Sequence, residues 1–194
     1  MRLKFAVPGL FLGLAIPAFS QVAPSAMQGG TPITFGAAIS TFYTDYSRYE
    51  SGPTLWVDWN LYRGPSLLQG LSIEAEVRDL NYDRTGDNPG LRETTGEGGA
   101  VYHWRHWERI QPYGKFLLGY GGIHFTNRPG DNYTHDTRTV FASGGGGDFR
   151  LWRGFSVRGD YEYQFWPDFF HGHTFNPEGF TVGASYDLGR ARAQ

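Results

Sequence analysis

The segment Leu71-Ser-Ile-Glu-Ala-Glu-Val-Arg78 decides the fold class of this chain. Its odd-numbered residues are apolar, and its even-numbered residues are polar or charged. Successive side chains of a β-strand point to opposite faces, so the segment predicts a strand with one apolar and one charged face. The same alternation returns in Phe155-Ser-Val-Arg-Gly-Asp-Tyr-Glu-Tyr-Gln-Phe165. Such strands suit a soluble sandwich with the apolar face inward, or a membrane barrel with the apolar face toward lipid.

The N-terminus has the features of a cleavable export signal, which favours the membrane barrel. Two basic residues precede an apolar stretch, Phe5–Phe19, and small residues around Ser20 predict cleavage before Gln21. The stretch is short and interrupted by proline and glycine, which argues against an uncleaved membrane anchor. We therefore predict a signal peptide over residues 1–20 and a periplasmic lead-in over residues 21–32. The chain contains no cysteine, so no disulfide stabilises the exported protein.

Eight segments with the alternating pattern follow, and each reaches or exceeds the roughly 9–11 residues that a tilted strand needs to cross a bilayer. The connections between them alternate between compact and long, as expected when both termini are periplasmic. Residues 33–188 are predicted to form an all-β, eight-stranded antiparallel up-and-down transmembrane β-barrel, followed by a C-terminal tail over residues 189–194. The predicted strands are Ile33–Tyr46, Thr54–Tyr62, Leu71–Tyr82, Thr94–Trp104, Tyr113–Phe125, Thr139–Leu151, Phe155–Trp166 and Gly179–Leu188.

The polar faces of these strands predict a charged barrel interior. Even positions in strands two, three, six and seven, and odd positions in strands four and five, would face the lumen. Eight strands enclose a space only just wide enough for side chains, and unpaired buried charges are costly, so the charges are predicted to pair. The tight turn near Arg153 would set Asp148 opposite Arg158, while a narrow polar pore is the open alternative. The predicted lumen network comprises Asp58, Glu74, Glu76, Arg78, Glu97, Arg105, Lys115, Asp148, Arg150, Arg158, Asp160 and Glu162, with His103 beside it.

The apolar faces of the strands predict a wall in contact with lipid, from Phe35 on the first strand to Tyr186 on the last. Aromatic residues gather near strand ends, where barrels carry aromatic belts at the two membrane interfaces. Ordinary strand propensity also enriches aromatics, but it does not place them at the ends. The predicted belt residues are Tyr43, Tyr46, Tyr62, Trp104, Trp107, Trp152, Phe165 and Trp166.

Several segments make the chain resemble the outer-membrane β-barrel family of the opacity-type adhesins and the OmpA-like transmembrane domain. These are Gln111-Pro-Tyr-Gly-Lys-Phe-Leu-Leu-Gly-Tyr-Gly-Gly122, Gly144-Gly-Gly-Gly-Asp-Phe-Arg-Leu151, Phe155-Ser-Val-Arg-Gly-Asp-Tyr-Glu-Tyr163 and Gly179-Phe-Thr-Val-Gly-Ala-Ser-Tyr-Asp-Leu188. The resemblance covers Ile33–Leu188 and implies the same barrel in the outer membrane. It also implies contact with the lipid bilayer, lipopolysaccharide and the outer-membrane assembly machinery. The family's usual terminal aromatic is replaced here by residues 189–194.

Other motifs give weaker signals. His171 and His173, with His135 and Asp136, could ligate zinc, but loop histidines are more often solvated, so no metal or cofactor is predicted. The segment from His173 to Asn176 is similar to the His-x-Ser motif of lipid A deacylases but lacks the serine, so no catalytic residue is predicted. Gly144–Gly147 is followed by neither Lys-Ser/Thr nor a helix, so it is no phosphate loop. A net charge of -2 shows no bias toward nucleic acid.

The sequence therefore predicts a non-enzymatic outer-membrane barrel with a structural or surface-interaction role. It leaves the oligomeric state open and favours a monomer. Three long loops, Asp83–Glu93, Thr126–Arg138 and Pro167–Glu178, would meet any surface ligand. The alternatives are a small pore for ions or solutes, a lipid-modifying enzyme, and a soluble exported barrel that binds lipid on an inward apolar face. The loop residues predicted to be exposed are Tyr133, Phe169, Phe170, Arg84, Arg92, Arg128 and His171.

Overall fold

Eight long strands make up most of the structure. The computed structural model describes residues 33–44, 48–61, 67–83, 91–104, 109–125, 135–169 and 172–188. The predicted signal peptide, lead-in and C-terminal tail lie outside these residues, as do Tyr46, Tyr62, Arg105 and Trp107. The strands are β1 (Ile33–Thr44), β2 (Arg48–Asn60), β3 (Leu71–Leu80), β4 (Leu91–His103), β5 (Ile110–Phe125), β6 (His135–Trp152), β7 (Phe155–Phe169) and β8 (Glu178–Asp187).

The strands form a closed antiparallel barrel. Each strand pairs with the next along the chain, and β8 pairs with β1, so the sheet has no open edge among the long strands. Val182 of β8, for example, lies opposite Ile39 of β1. Closure satisfies the backbone hydrogen bonds of every long strand within the sheet. The predicted eight-stranded up-and-down barrel is confirmed.

The strand boundaries differ from the sequence prediction mainly at the end of the barrel that carries the long connections, called here the loop end. β2 begins at Arg48 rather than Thr54, and β6 begins at His135 rather than Thr139. The prediction left Pro53 in the connection between the first two strands, but Pro53 lies within β2, opposite Ile39. Hydrogen bonding between neighbouring strands continues beyond the apolar band, where the alternating pattern that marked the strands in the sequence has ended.

The opposite end, called here the turn end, carries both chain termini of the barrel and the short connections. β6 and β7 are joined by Arg153 and Gly154, whose φ angles are 46° and 86°. A two-residue hairpin turn of type I′ requires positive φ at both residues, and glycine adopts positive φ without steric strain. A short 3-10 helix, Leu67–Gly70, leads into β3. At the loop end, the short strand Tyr82–Asp83 pairs with β2, and His173–Phe175 pairs with β7.

Burial alternates along the strands, and it separates the residues as the pattern predicted. On β3, Glu74 is fully buried inside the barrel while Val77 is 55% exposed on the wall. Ile39 and Phe180 are likewise exposed apolar wall residues. The alternative of a soluble barrel with an inward apolar stripe is wrong, because the charged face is the inner one. Among the described residues, no helix is both long enough and apolar enough to cross a membrane.

Candidate functional site: the charged lumen

The barrel interior is the candidate site, because charged side chains from six strands converge there. Of the twelve charged residues predicted for the lumen, Arg150 is half-exposed near the turn end and Arg105 lies outside the described residues. The other ten are buried inside: Asp58, Glu74, Glu76, Arg78, Glu97, Lys115, Asp148, Arg158, Asp160 and Glu162.

Arg158 of β7 is the centre of the lower half of the lumen, nearer the turn end. Its guanidinium donates to Asp58 (2.8 Å), Glu74 (2.6 Å) and Asp148 (3.0 Å). Asp148 lies directly opposite Arg158 on the neighbouring strand, whereas Asp58 and Glu74 reach it from β2 and β3, across the barrel. The guanidinium also lies 4.6 Å from the ring centre of Trp56. One cation on β7 therefore joins four strands through the lumen.

Lys115 of β5 occupies the middle of the lumen. Its Nζ lies 2.6 Å from Glu162, 3.0 Å from Glu76, 3.7 Å from Asp160 and 3.9 Å from Glu74. An ammonium group is a compact charge with three donors, so it can be shared among several carboxylates. Glu74 also binds Arg158, which joins the middle of the network to the lower half.

Arg78 of β3 lies nearest the loop end of the three buried cations. Its guanidinium donates to Glu162 (2.9 Å) and to Glu76, and it lies 4.1 Å from the ring centre of Phe42. Gln164 extends the network by donating to Glu97 and Glu162, each at 2.9 Å. Because Glu76 and Glu162 bind both Arg78 and Lys115, the three cations belong to one continuous network.

The network is not balanced in charge within the described residues. Three lysine or arginine side chains are buried in it against seven carboxyl side chains, and three further carboxyl residues are buried nearer the loop end: Glu50, Glu93 and Asp136. Two pairs of carboxyl residues even lie directly opposite each other on neighbouring strands, Asp58 with Glu74 and Glu76 with Glu97. Like charges in such positions repel. The lumen is therefore acidic as well as paired.

A hydrogen-bonded row near the turn end was not predicted from the sequence. Ser72 Oγ lies 3.3 Å from His103 Nδ1, and His103 Nε2 lies 3.2 Å from Asp148. These are the residue types of a hydrolase triad, but Ser72 is fully buried, and a nucleophile must touch its substrate. Nearby, the Tyr113 hydroxyl donates to Asp160 at 2.6 Å. The alternation rule places all of these side chains inside, but it gives no information on which of them meet.

Two glycines of β6 make room for the network. A Cβ atom on Gly146 would overlap the carbonyl oxygen of Gly159 and crowd the Asp160 side chain. A Cβ atom on Gly144 would lie 3.3 Å from the Cβ of Glu162. Bulkier residues at these inward positions would displace the carboxylates that hold Lys115. The glycine-rich segment thus serves close packing, as the sequence suggested, rather than phosphate binding.

An apolar and aromatic cluster lies inside the barrel at the loop end. The Trp166 ring lies 5.4 Å from that of Phe175, and Phe169 stacks on Phe175 at 4.9 Å. The Trp166 indole donates to Gln164, which joins the cluster to the charged network. We call this cluster the cap; its buried members are Leu91, Ile123, Val140, Trp166, Phe169 and Phe175.

A sequence model of the outer membrane protein beta-barrel domain matches residues 9–187 of the chain. The chain belongs to this family. Its wall of exposed apolar side chains therefore faces the lipid bilayer of the outer membrane, and its lumen is the polar interior of an outer-membrane barrel.

Solved outer-membrane barrels share this fold. Neisserial surface protein A (NspA) superposes with a TM-score of 0.61 at 10% identity, covering 79% of this chain and 94% of that one. Ail of Yersinia pestis superposes with a TM-score of 0.53 at 17% identity, covering 81% of this chain and 97% of Ail. OprG of Pseudomonas aeruginosa superposes with a TM-score of 0.51 at 11% identity, covering 82% of this chain and 97% of OprG. No curated protein matches the chain by sequence. At these identities the likeness is one of fold.

The outer-membrane barrel carries exposed aromatic side chains at both ends of its wall. One of the predicted belt residues does not belong to them. Tyr43 and Phe165 are exposed toward the loop end, and Trp104 and Trp152 toward the turn end. Trp166 is fully buried in the cap, so its assignment to a belt is wrong. It is an even-numbered residue of β7, and the even side of that strand faces inward.

The cap also corrects one predicted loop contact. Phe169 was expected to be exposed, but only 2% of it is accessible. Asp168 has a φ of 56°, and the pairing register shifts between Trp166 and Phe169. This irregularity reverses the alternation, so an odd-numbered residue turns inward. Of the other predicted loop contacts, Arg92 is exposed and bound to Asp79, and the rest lie outside the described residues.

The histidine set that the sequence offered for zinc is not brought together in the described part of the barrel. His135 and Asp136 are adjacent in β6, so they point to opposite sides of the sheet. Asp136 is buried and accepts a hydrogen bond from Arg138 at 3.0 Å. His173 lies on the short strand beside β7, and His171 lies outside the described residues. No group of three or more metal-ligating side chains occurs among the residues that the structure describes.

Proposed function

We propose that this outer-membrane barrel is a structural or surface-interacting protein whose lumen is closed by its ion-pair network and cap. The observation that carries the proposal is the position of Arg158, which binds carboxylates of β2, β3 and β6 at once. A solute passing along the axis would have to break this contact and those of Lys115 and Arg78. Breaking a buried ion pair costs about 3–5 kcal/mol when it leaves an uncompensated charge, which opposes spontaneous opening.

Conductance across a lipid bilayer tests whether the lumen is closed. Wild-type protein reconstituted in a planar lipid bilayer is expected to give no steady conductance, because the network and the cap both block the axis. A double variant, Phe169→Ala with Phe175→Ala, removes two of the three aromatic rings of the cap and should remain closed, since the ion pairs persist. Large, steady current from the wild type would contradict the closed lumen.

A small pore is the second candidate, and the acidic lumen is the observation that favours it. Ten buried carboxyl side chains against three buried lysines and arginines would attract cations and repel anions. If the wild type conducts, the current should therefore be carried by cations. An anion-selective current would contradict both candidates.

We also propose that any recognition lies in the loops at the loop end rather than in the barrel. Loops on a rigid scaffold commonly carry binding residues, and both termini of the barrel lie at the other end. One structure of Ail contains the heparin analogue sucrose octasulfate, which makes this compound a suitable first probe. Lipopolysaccharide as a neighbour, assembly by the outer-membrane machinery and a monomeric state belong to the same proposal.

If recognition lies in the loops, shortening them should abolish binding while the barrel still folds. Replacing residues 84–90 and 126–134 by short Asn-Gly turns should leave a folded barrel. Folding is shown by a gel mobility that differs between unheated and heated samples. Binding of sucrose octasulfate, or adhesion of cells that display the protein, should be lost. The connection between β7 and β8 is left intact as a control, because it supplies Phe169 and Phe175 to the cap. Binding that survives both replacements would place recognition in the connection between β7 and β8 or outside the loops.

The proposal includes no enzymatic activity. Support comes from Ser72, whose hydroxyl lies beside His103 but has no accessible surface. His103 is 7% exposed and Asp148 8%, so the base and the acid are nearly as inaccessible. Lipid substrates would approach from the outer wall, which is the opposite side of the sheet.

A further inference from the structure

Two histidines face each other on the outer wall at the loop end. His124 of β5 and His135 of β6 are direct cross-strand partners. Their rings are stacked, with centres 5.8 Å apart and an angle of 18° between the planes. Both side chains are exposed. The two residues are eleven positions apart in the chain, so only the pairing of β5 with β6 brings them together.

We propose that His124 and His135 form a two-histidine binding site for a divalent transition metal such as zinc. Imidazole nitrogens bind zinc at ~2.0–2.1 Å, so two rings that share one ion have centres about 5–6 Å apart. The observed separation lies in this range. The two rings are nearly parallel, so each would have to rotate about its side-chain bonds to turn a nitrogen toward a common point, and both side chains are exposed. Imidazole is the protein ligand that suits zinc, copper and nickel, whereas magnesium and calcium prefer oxygen.

The charges around the pair do not oppose a cation. Arg92 of β4 lies opposite His124 and is the nearest cation along the sheet. Its guanidinium is held by both oxygens of Asp79, at 2.8 and 2.7 Å, so its charge is matched by a carboxylate. The neighbouring Asp136 points into the barrel and is bound to Arg138, which leaves it unable to act as a third ligand.

The position of the pair gives an ion access from water. The exposed apolar residues Tyr120 and Phe141 lie on the same two strands, four and six residues closer to the middle of the membrane. His124 and His135 thus lie beyond these exposed apolar residues of β5 and β6, toward the loop end. With two protein ligands, the ion would keep open positions for water or for a headgroup oxygen. Binding would also clamp β5 to β6 at the start of the connection between them.

The test measures zinc binding by the untagged full-length barrel, folded in detergent, with zinc chloride as the only added metal. Isothermal titration should show one zinc ion per wild-type barrel. His124→Gln and His135→Gln should each weaken binding about tenfold or more, because each removes half of the protein ligands. His173→Gln is the matched control, since it changes another exposed histidine at the same end and should bind as the wild type does.

A second measurement keeps the result interpretable if a variant is poorly folded. Copper(II) bound to the wild type should show two nitrogen ligands in its paramagnetic resonance spectrum, and one in either single variant that still shifts on an unheated gel. Zinc should also raise the unfolding temperature of the wild type, because a ligand that binds only the folded state stabilises it. Absence of saturable zinc binding, or binding that persists when both histidines are changed or is lost with His173→Gln, overturns the site.

Discussion

Replacing Arg158 by methionine is expected to lower the free energy of unfolding by about 3–5 kcal/mol, because it leaves buried carboxylates without their cation. Asp58, Glu74 and Asp148 all lose a charged hydrogen bond in this variant. Methionine keeps most of the volume, so the loss reports charge rather than a cavity. The measurement is the urea concentration at which the folded gel form disappears, for the variant and the wild type in the same detergent.

Arg150→Met is the matched control for this prediction. Arg150 lies on the neighbouring strand and is half-exposed, so its replacement should cost under about 1 kcal/mol. A double variant, Arg158→Met with Asp148→Asn, should recover part of the loss, because one of the stranded charges is then removed. Strictly additive losses would contradict the Asp148–Arg158 pair. Equal effects at Arg158 and Arg150 would contradict the central role of Arg158.

Replacing Val77 by arginine is expected to cost about 2–4 kcal/mol and to reduce assembly into the outer membrane, because a charge on the lipid-facing wall loses its hydration near the bilayer midplane. Val77 is 55% exposed on the wall and lies opposite Leu55, another exposed apolar residue. The measurement is the amount of folded, membrane-inserted protein in fractionated cells, together with unfolding in lipid vesicles.

Val77→Leu is the control, since it alters the shape of the side chain while keeping the wall apolar. It should assemble as the wild type does. If Val77→Arg assembles equally well and the purified protein stays soluble without detergent, then this part of the wall does not face lipid.

The two variants test opposite faces of the same sheet. The barrel has its charged face inside and its apolar face outside, which is the reverse of a water-soluble barrel. Lipid can accept the exposed apolar wall but cannot hydrate a charge, so charges are confined to the interior. The interior is narrow, and its charges must therefore satisfy one another. The shared carboxylates Glu74, Glu76 and Glu162 meet this requirement by binding two cations each.

The sequence alone determined the eight strands and the separation of their two faces. These follow from local rules, because a period of two residues places side chains on one face or the other whatever the partner strand is. The same rule placed Asp148 and Arg158 on one side of a hairpin, where a tight turn fixes which residues are opposite. It would also have turned Trp166 inward, had it been applied to that residue.

Only the tertiary structure decided which distant side chains meet. Arg158 reaches Asp58 across the barrel through the curvature of the closed sheet, and His124 meets His135 through the register of β5 and β6. Neither curvature nor register is written in the alternation, since a pattern of period two is unchanged when one strand slides by two residues. Phe169 was missed because the positive φ of Asp168 interrupts the alternation. Pro167 marks the end of the regular pattern but does not indicate which way the following side chains turn. Local chemistry therefore fixed the faces of the strands, while the pairing of whole strands fixed the contacts within the lumen and on the wall.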